Sequence, residues 1–178
     1  MNLAQSIKTV SELKGQFTLR SGMISNTYFD KYQFESDPVL LGDIAEAMVP
    51  KLPAGIEVLA GLEMGGIPIV TMLSHITGLP AAFIRKEPKE YGTCFYSEGA
   101  PLDDRRILLV EDVVSSGGAI IDSAGMLRAD GITVDRAICV IDRETGGFEK
   151  LAAEGIQLLS LFKQSEIDGS TATRKDSS

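Results

Sequence analysis

The segment that says most about chemistry is residues 107–119, which read ILLVEDVVSSGGA. Four apolar residues lead into two adjacent carboxylates, Glu111 and Asp112, and a turn of serines and glycines follows before a helical pattern begins. Such a turn offers backbone N–H groups, hydroxyls and the positive end of a helix dipole to a phosphate group. The two carboxylates can accept hydrogen bonds from sugar hydroxyls or hold a magnesium ion through water. The segment therefore indicates a sugar-phosphate site at the carboxyl edge of a sheet.

Other phosphate-binding motifs fit this segment less well. No lysine follows the glycines, as a Walker A loop requires, and the glycines lack the spacing of the dinucleotide-binding fingerprint. The alternative is an ordinary strand, turn and helix with an exposed acid pair, which a short motif alone does not exclude.

Two further turns are predicted at the same edge, because each follows an apolar run. Residues 61–66, GLEMGG, precede a helical pattern, and their glycines would let the backbone approach an anion closely. Residues 141–147, IDRETGG, place Arg143 where a guanidinium can bind a carboxylate through two parallel hydrogen bonds. The respective alternatives are a plain tight turn and a salt bridge to a neighbouring acid.

A local cluster of basic residues stands out in an acidic chain. Residues 83–92 read FIRKEPKEYG, and residues 86–104 have little apolar patterning, which predicts a long mobile loop. Arg85, Lys86 and Lys89 could neutralise negative charge on a bound anion as such a loop closes. The alternative is a solvated run of charges.

Alternating apolar runs and helical stripes predict the elements that carry these turns. Four runs read as buried strands of a parallel sheet, at residues 56–60, 81–84, 106–110 and 134–141. Helical stripes separate them, with Asp37 and Pro38 at the start of one, and Gly78 and Gly131 at the ends of the next two. This order predicts an α/β fold with a doubly wound, mainly parallel sheet flanked by helices.

The two ends of the chain differ from this core. Residues 17–22 and 27–32 are candidates for an antiparallel pair outside the main sheet, and residues 158–162 for a last short strand that contributes to a cap. Residues 166–178 contain no apolar stripe and are predicted to be a disordered tail.

The length of 178 residues fits one domain with a full core. We expect that domain to cover residues 1–165. Within it, about 1–34 and about 145–165 would form a hood over the core of residues 35–144.

The composition excludes several classes of protein. A net charge of −8 offers no broad basic face for nucleic acid, and no run approaches the roughly 20 apolar residues of a membrane span. The N-terminal residues lack the apolar run of a signal peptide. Cys94 and Cys139 form no CxxC motif, and with His75 as the only histidine a structural zinc site is implausible. A reduced, cytoplasmic protein is the expectation.

Residues 107–119 closely resemble the phosphoribosyl pyrophosphate (PRPP) signature of type I phosphoribosyltransferases, and all thirteen positions fit it. From about residue 17 to residue 147 the chain is similar to the orotate phosphoribosyltransferase family in particular. The motifs that carry this likeness are FTLRSG at 17–22, YFD at 28–30, Arg85-Lys86 with Lys89, the PRPP signature, and Asp142-Arg143.

The resemblance implies a type I phosphoribosyltransferase fold with a small N-terminal hood. It implies an enzyme that transfers the 5-phosphoribosyl group of PRPP to orotate, which yields orotidine 5′-monophosphate and pyrophosphate in de novo UMP biosynthesis. Mg²⁺ would be held by PRPP and water near Glu111 and Asp112, with no direct protein ligand. A homodimer with active sites shared between subunits is implied as well, and neither nucleic acid nor membrane is expected as a partner.

The resemblance also implies roles for individual residues. PRPP binding would fall to Arg20, Arg85, Lys86, Lys89, Glu111, Asp112, Val113, Val114, Ser115, Ser116, Gly117, Gly118 and Ala119. Orotate binding would fall to Tyr28, Phe29, Ser115 and Arg143. Catalysis would fall to Lys89, Glu111 and Asp112.

Three positions depart from the family pattern. Tyr91 stands where the mobile loop usually has a histidine, Gly65 where the pyrophosphate turn of many members has a lysine, and Arg20 where lysine is common. The first two changes remove groups that can stabilise the leaving group, for which a bound cation could substitute.

Two other functions stay open at this point. One is a phosphoribosyltransferase for another base such as a purine, for which a guanidinium at position 143 would have no carboxylate to bind. The other is a non-catalytic PRPP-binding regulator of transcription, which would need a DNA-binding segment or a basic surface that the acidic composition does not indicate.

Overall fold

The computed structural model describes residues 2–18, 22–87 and 96–170 of the chain. Its strands are β1 (Glu12–Thr18), β2 (Ile24–Phe29), β3 (Val58–Leu62), β4 (Ala81–Ile84), β5 (Ser97–Gly99), β6 (Ile107–Val114), β7 (Arg136–Asp142) and β8 (Gln157–Lys163). A six-stranded sheet has the order β5-β4-β3-β6-β7-β8, in which only the edge strand β5 runs antiparallel to its neighbour. The predicted mainly parallel sheet is therefore confirmed.

The helices are α1 (Leu3–Ser11), α2 (Tyr32–Ser36), α3 (Pro38–Met48), α4 (Gly66–Thr77), α5 (Gly118–Ala129), α6 (Gly147–Ala153) and α7 (Gln164–Gly169), with a 3₁₀ turn at Val49–Lys51. Asp37 caps α3, because its Oδ1 atom accepts hydrogen bonds from the backbone N–H groups of Val39 and Leu40, each at 3.0 Å. Gly78 ends α4 in the left-handed conformation, φ +73°. None of the helices in these described ranges is long and apolar enough to cross a membrane.

Both faces of the large sheet are covered, as in a doubly wound fold. On one face, apolar residues of α1, α3, α4 and α7 pack against alternate strand residues such as Leu108 and Val110. On the other face, apolar residues of α5 and α6 pack against strand residues that lie between those of the first set, such as Leu109. Successive side chains of β6 from Ile107 to Val110 therefore point to opposite faces of the sheet.

The antiparallel pair outside the main sheet is present as β1 and β2, but these strands begin five and three residues before the predicted ranges of 17–22 and 27–32. Their register shifts between Lys14 and Phe17. The helix that precedes it does not belong to a hood, because Ala4 and Ile7 of α1 are buried in the core.

The expectations for the C-terminal part need two corrections. Residues 145–165 do not form a hood, because β8 adds to the main sheet in parallel with β7 and buries Leu158 and Leu161. Residues 166–169 are not disordered but belong to α7, whose Ile167 is fully buried against the core. A helix of six residues presents only about one core-facing position per turn, so it shows no apolar stripe in the sequence. Residues 171–178 lie outside the described part of the chain.

Candidate active site

Three turns lie side by side at the carboxyl edge of the sheet. They follow β3, β6 and β7, which are parallel neighbours, and each leads into a helix. The backbone N–H of Arg143 donates to the carbonyl of Val114 at 2.8 Å, and the hydroxyl of Thr145 donates to the carbonyl of Ser115 at 3.0 Å. These bonds join the last two turns directly. In open α/β sheets this edge is where ligands bind.

The turn after β6 encloses a cavity of about 180 Å³. Its lining consists of Glu111 and residues 113–120, which is nearly the whole predicted phosphate-binding segment. Gly117 adopts φ +76° and forms the N-cap of α5 without any side-chain cap. A Cβ there would also lie 3.0 Å from Leu151 of α6, so glycine suits both the turn and its packing. The first amides of α5 are thus left for an anion.

The two acids of the signature lie on opposite faces of β6, which continues through both of them to Val114. Glu111 lines the turn cavity and is 7% exposed. Its Oε1 accepts a hydrogen bond from the backbone N–H of Asp112 at 3.0 Å. Burial raises the pKa of Glu111 to about 9, and the neighbouring Asp112 adds to this. At neutral pH Glu111 is therefore protonated and can both donate to and accept from hydroxyls.

Asp112 faces the side of the sheet that carries α2 and α4, and its side chain is fully buried. The Nζ atom of Lys31 lies 2.6 Å from Asp112 Oδ2, and the backbone N–H of Val113 donates to Oδ1. Burial alone would raise the pKa of Asp112. Hydrogen bonds from Glu111, Glu35 and Lys31, together with the charge of Lys31, outweigh that effect and lower the pKa below its usual value. Asp112 is therefore an ionised, buried carboxylate, and it does not line the turn cavity.

The turn after β3 is packed tightly against β6. A Cβ at Gly66 would lie 2.2 Å from the carbonyl oxygen of Val110, and one at Gly65 would lie against the carboxylate of Asp112. Glycines at these two positions are required by close approach. Glu63 Oε1 accepts a hydrogen bond from the backbone N–H of Lys86 at 2.8 Å. This bond joins the turn to the start of the basic segment, residues 85–89.

Arg143 and Phe29 meet across the site. The guanidinium carbon of Arg143 lies 5.6 Å from the centroid of the Phe29 ring, a cation–π contact that orients the guanidinium. Tyr28 instead packs against Phe17 of β1, with ring centroids 5.5 Å apart, and is 45% exposed. Of the predicted orotate residues, the structure therefore brings together Phe29, Arg143 and Ser115, while Tyr28 lies on the other face of its strand.

Two residues of the predicted site, Arg20 and Lys89, lie outside the described residues, as does Tyr91, which departs from the family pattern. Two other residues, Lys31 and Glu35, contact the acid pair and were missed by sequence reasoning. They are single polar residues after β2 and within α2, with no spacing that points toward the distant acid pair. The described part of the chain contains no group of three or more His, Cys, Asp or Glu side chains arranged to hold a metal ion.

A larger cavity, about 400 Å³, lies at the opposite edge of the sheet, where Arg105, Arg106 and Arg136 line it. Two of these arginines already have acid neighbours: Arg106 lies 3.5 Å from Glu57, and Arg136 lies 3.9 Å from Asp135. This edge holds the amino ends of the strands, and no helix of residues 2–18, 22–87 and 96–170 begins among the residues that line this cavity. The turn cavity is the better site for a phosphate.

Known proteins share both the sequence and the fold. The chain is 49% identical over 166 residues to an orotate phosphoribosyltransferase of Nocardioides sp., a match that covers 93% of each chain. It is 40% identical over 168 residues to an orotate phosphoribosyltransferase of Methanocella arvoryzae, which covers 94% of this chain and 96% of the relative. This chain belongs to the orotate phosphoribosyltransferase family.

The fold agrees with that family. The crystal structure of Mycobacterium tuberculosis orotate phosphoribosyltransferase with inorganic phosphate superposes with a TM-score of 0.82 at 25% identity, covering 93% of this chain and 96% of that one. No protein-family model matches the sequence. The family and the fold class expected from residues 107–119 and the neighbouring motifs are thus confirmed.

Proposed function

We propose that this chain transfers the 5-phosphoribosyl group of PRPP to orotate, the step that makes orotidine 5′-monophosphate in de novo UMP biosynthesis. A ring nitrogen of orotate loses its proton and bonds to C1 of the ribose, while the bond from C1 to pyrophosphate breaks. The observation that carries this proposal is the turn cavity lined by Glu111 and residues 113–120, hydrogen-bonded to the turn that bears Arg143. It supports the assignment of a phosphate site and a carboxylate-binding cation to the same edge of the sheet.

The 5′-phosphate of PRPP is assigned to the turn of residues 115–119. The uncapped first amides of α5 and the hydroxyls of Ser115 and Ser116 can donate to its oxygens, and the dipole of the twelve-residue α5 favours its charge. Glu111 is assigned to the ribose hydroxyls, because it lines the same cavity and as a protonated acid can both donate and accept.

Asp112 does not line the turn cavity, so we assign it an electrostatic role and no direct contact with the substrate. As an ionised carboxylate in a buried position, it acts at short range in a medium of low dielectric constant. We assign to it the stabilisation of the positive charge that develops on the ribose ring near C1 as pyrophosphate departs.

The leaving pyrophosphate is assigned to the turn of residues 61–66 and to Arg85, Lys86 and Lys89 of the basic segment. The hydrogen bond from Lys86 to Glu63 supports this pairing of turn and segment. The donor chemistry suits a magnesium ion carried mainly by diphosphate oxygens and water, since Glu111 is protonated and Asp112 is paired with Lys31. Bound magnesium would supply positive charge to the leaving group.

Orotate is assigned to the space in front of Arg143. The guanidinium, held against the Phe29 ring, can bind the orotate carboxylate through two hydrogen bonds. Fixing the carboxylate also fixes the direction of the ring nitrogen toward C1, so much of the rate comes from positioning.

We also propose a cytoplasmic homodimer in which the basic segment of one subunit closes over the site of its partner, as the family resemblance implies. Each subunit would be a single phosphoribosyltransferase domain. A contact between the first and last described helices supports a single domain: Lys8 Nζ of α1 donates to the carbonyl of Asp168 in α7 at 2.8 Å. Analytical ultracentrifugation would test the dimer.

The decisive experiment follows orotate consumption by purified protein with PRPP and magnesium, and compares Arg143→Ala with Arg105→Ala. Loss of a buried carboxylate partner costs about 2–5 kcal/mol, so kcat/KM for orotate should fall by roughly 30-fold to several-thousand-fold in Arg143→Ala. Arg105→Ala, an exposed arginine at the opposite edge, should match the wild type. Turnover of a purine without orotidylate formation would refute the proposal, and PRPP binding without any turnover would indicate a regulator instead.

A further inference from the structure

The ion pair between Lys31 and Asp112 joins two separate parts of the molecule. Lys31 stands at the N-cap of α2, just after the β1–β2 hairpin, whereas Asp112 lies in the central strand β6. Their side chains meet at 2.6 Å, with the Asp112 side chain fully buried and the Lys31 side chain 34% exposed. In the described part of the chain, no other lysine or arginine forms an ion pair with Asp112 or Glu111.

We propose that Lys31 is a positioning residue for PRPP, which holds Asp112 as an ordered carboxylate beneath the pyrophosphate turn and through it fixes Glu111. The proposal rests on the function proposed above. It goes beyond that function because Lys31 belongs to none of the motifs that suggested it.

The first step of the argument is that Asp112 needs a cation. A carboxylate without exposed surface stays ionised only when it is paired and hydrogen-bonded. Glu35 is 8% exposed and lies beside Asp112, but it cannot supply that charge. Burial raises the pKa of Glu35 to about 9, and the hydrogen bond and charge of Asp112 contribute, so Glu35 keeps its proton. The ammonium of Lys31 is thus the charge that compensates Asp112.

The second step concerns the turn above the ion pair. Gly65 leaves no room for a side chain, because a Cβ there would overlap the Asp112 carboxylate. In this chain the turn itself brings no ammonium to the acid pair, and Lys31 brings one from α2.

The third step connects Asp112 to the ribose site. The backbone N–H of Asp112 donates to Glu111 Oε1, and Glu111 lines the turn cavity. If Asp112 lost its partner and shifted, the position of the Glu111 carboxyl group would shift with it. Arg143 and Phe29, which are assigned to orotate, are not part of this chain of contacts. Loss of Lys31 should therefore weaken PRPP binding and leave orotate binding unchanged.

The kinetic test compares Lys31→Met, Lys31→Arg and the control Lys51→Met, which removes an exposed lysine after α3. We expect KM for PRPP to rise about tenfold or more in Lys31→Met while KM for orotate changes less than about twofold. Lys31→Arg should restore KM for PRPP to within about threefold of the wild type, since a guanidinium also pairs with a carboxylate. Equal losses for both substrates, or no loss, would overturn the proposal.

A double-mutant cycle tests whether Lys31 acts through Asp112. The affinity for PRPP is measured by titration calorimetry in Lys31→Met, Asp112→Asn and the double variant. If Lys31 acts only by holding Asp112, the double variant binds no more weakly than Asp112→Asn alone. If the two losses multiply, Lys31 contacts the substrate independently and the positioning role is wrong.

Two features keep these tests separable. Calorimetry reads PRPP binding without orotate, so a wild type that binds PRPP but fails to use orotate would refute the proposed function and leave the role of Lys31 measurable. If Lys31→Met does not fold, as judged by circular dichroism and thermal unfolding, Lys31→Gln takes its place. The amide is closer in polarity to the ammonium and still removes the charge.

Discussion

The buried glutamate of α2 makes the stability of this protein depend on pH in an unusual direction. Burial, and then the hydrogen bond and charge of Asp112, raise the pKa of Glu35 from 4.5 to about 9. Between these two values the folded protein holds a proton at Glu35 that the unfolded chain has released. The stability tied to this group is fully present below pH 4.5 and is lost as the pH rises through 9.

The size of the effect follows from proton linkage. One extra proton in the folded state changes the free energy of unfolding by at most about 1.4 kcal/mol per pH unit. From pH 6 to pH 8, the titration of Glu35 should therefore lower the free energy of unfolding of the wild type by about 1–3 kcal/mol. The charge of Lys31 opposes the rise in the pKa of Glu35 and accounts for the lower end of this range. Glu35→Gln removes the titration and keeps a neutral hydrogen-bond donor beside Asp112. Its free energy of unfolding should fall less over this range than that of the wild type.

The assay is urea unfolding at pH 6, 7 and 8, at one ionic strength and one protein concentration. The pKa of Glu111 is raised in the same way, but Glu111 is present in both proteins, so the difference between their pH dependences isolates Glu35. Glu46→Gln, which changes an exposed glutamate of α3, serves as the control and should follow the wild type. Parallel pH dependences for the wild type and Glu35→Gln would show that Glu35 is ionised in the folded state and would refute the reasoning.

Three further predictions concern packing. Gly66→Ala should lower the free energy of unfolding by about 3 kcal/mol or more in urea titrations, because its Cβ would meet the Val110 carbonyl at 2.2 Å and α4 would have to move off the sheet. Gly125→Ala, in open space within α5, should instead stabilise the protein by about 0.5–1 kcal/mol, and a loss as large as that of Gly66→Ala would contradict this. The thiol of Cys139 is fully buried, and burial raises its pKa. Mass spectrometry should find Cys139 unalkylated by iodoacetamide until urea unfolds the protein, whereas rapid labelling of the folded protein would show that the strand is accessible.

Much of the site could be predicted because its parts are local. The turn after β6 needs only an apolar run, small residues and a helix start in sequence, and these produced the cavity of residues 113–120. The three turns could be expected at one edge because parallel strands direct their carboxyl ends to the same side. The caps of α3 and α4 at Asp37 and Gly78 likewise depend on neighbouring residues alone.

The elements that were wrong or missed depend on contacts between distant residues. Nothing in residues 158–162 distinguishes a strand of the main sheet from one in a hood, since the choice is made by pairing with β7. The short helix α7 is stabilised by burial of Ile167 in the core beside α1. No local sequence pattern indicates this tertiary contact.

The amino-acid sequence by itself determined the family, the parallel α/β sheet and the turn after β6, because these follow from local patterns of apolar residues, glycines and acids. Only the tertiary structure decided that Glu111 and Asp112 differ in kind. They are neighbours in the chain, but the alternation of β6 turns one toward the cavity and the other toward Lys31 and Glu35. Protonation and charge depend on what surrounds a side chain, and the surroundings of Asp112 include Lys31 and Glu35, about 80 positions away in the sequence.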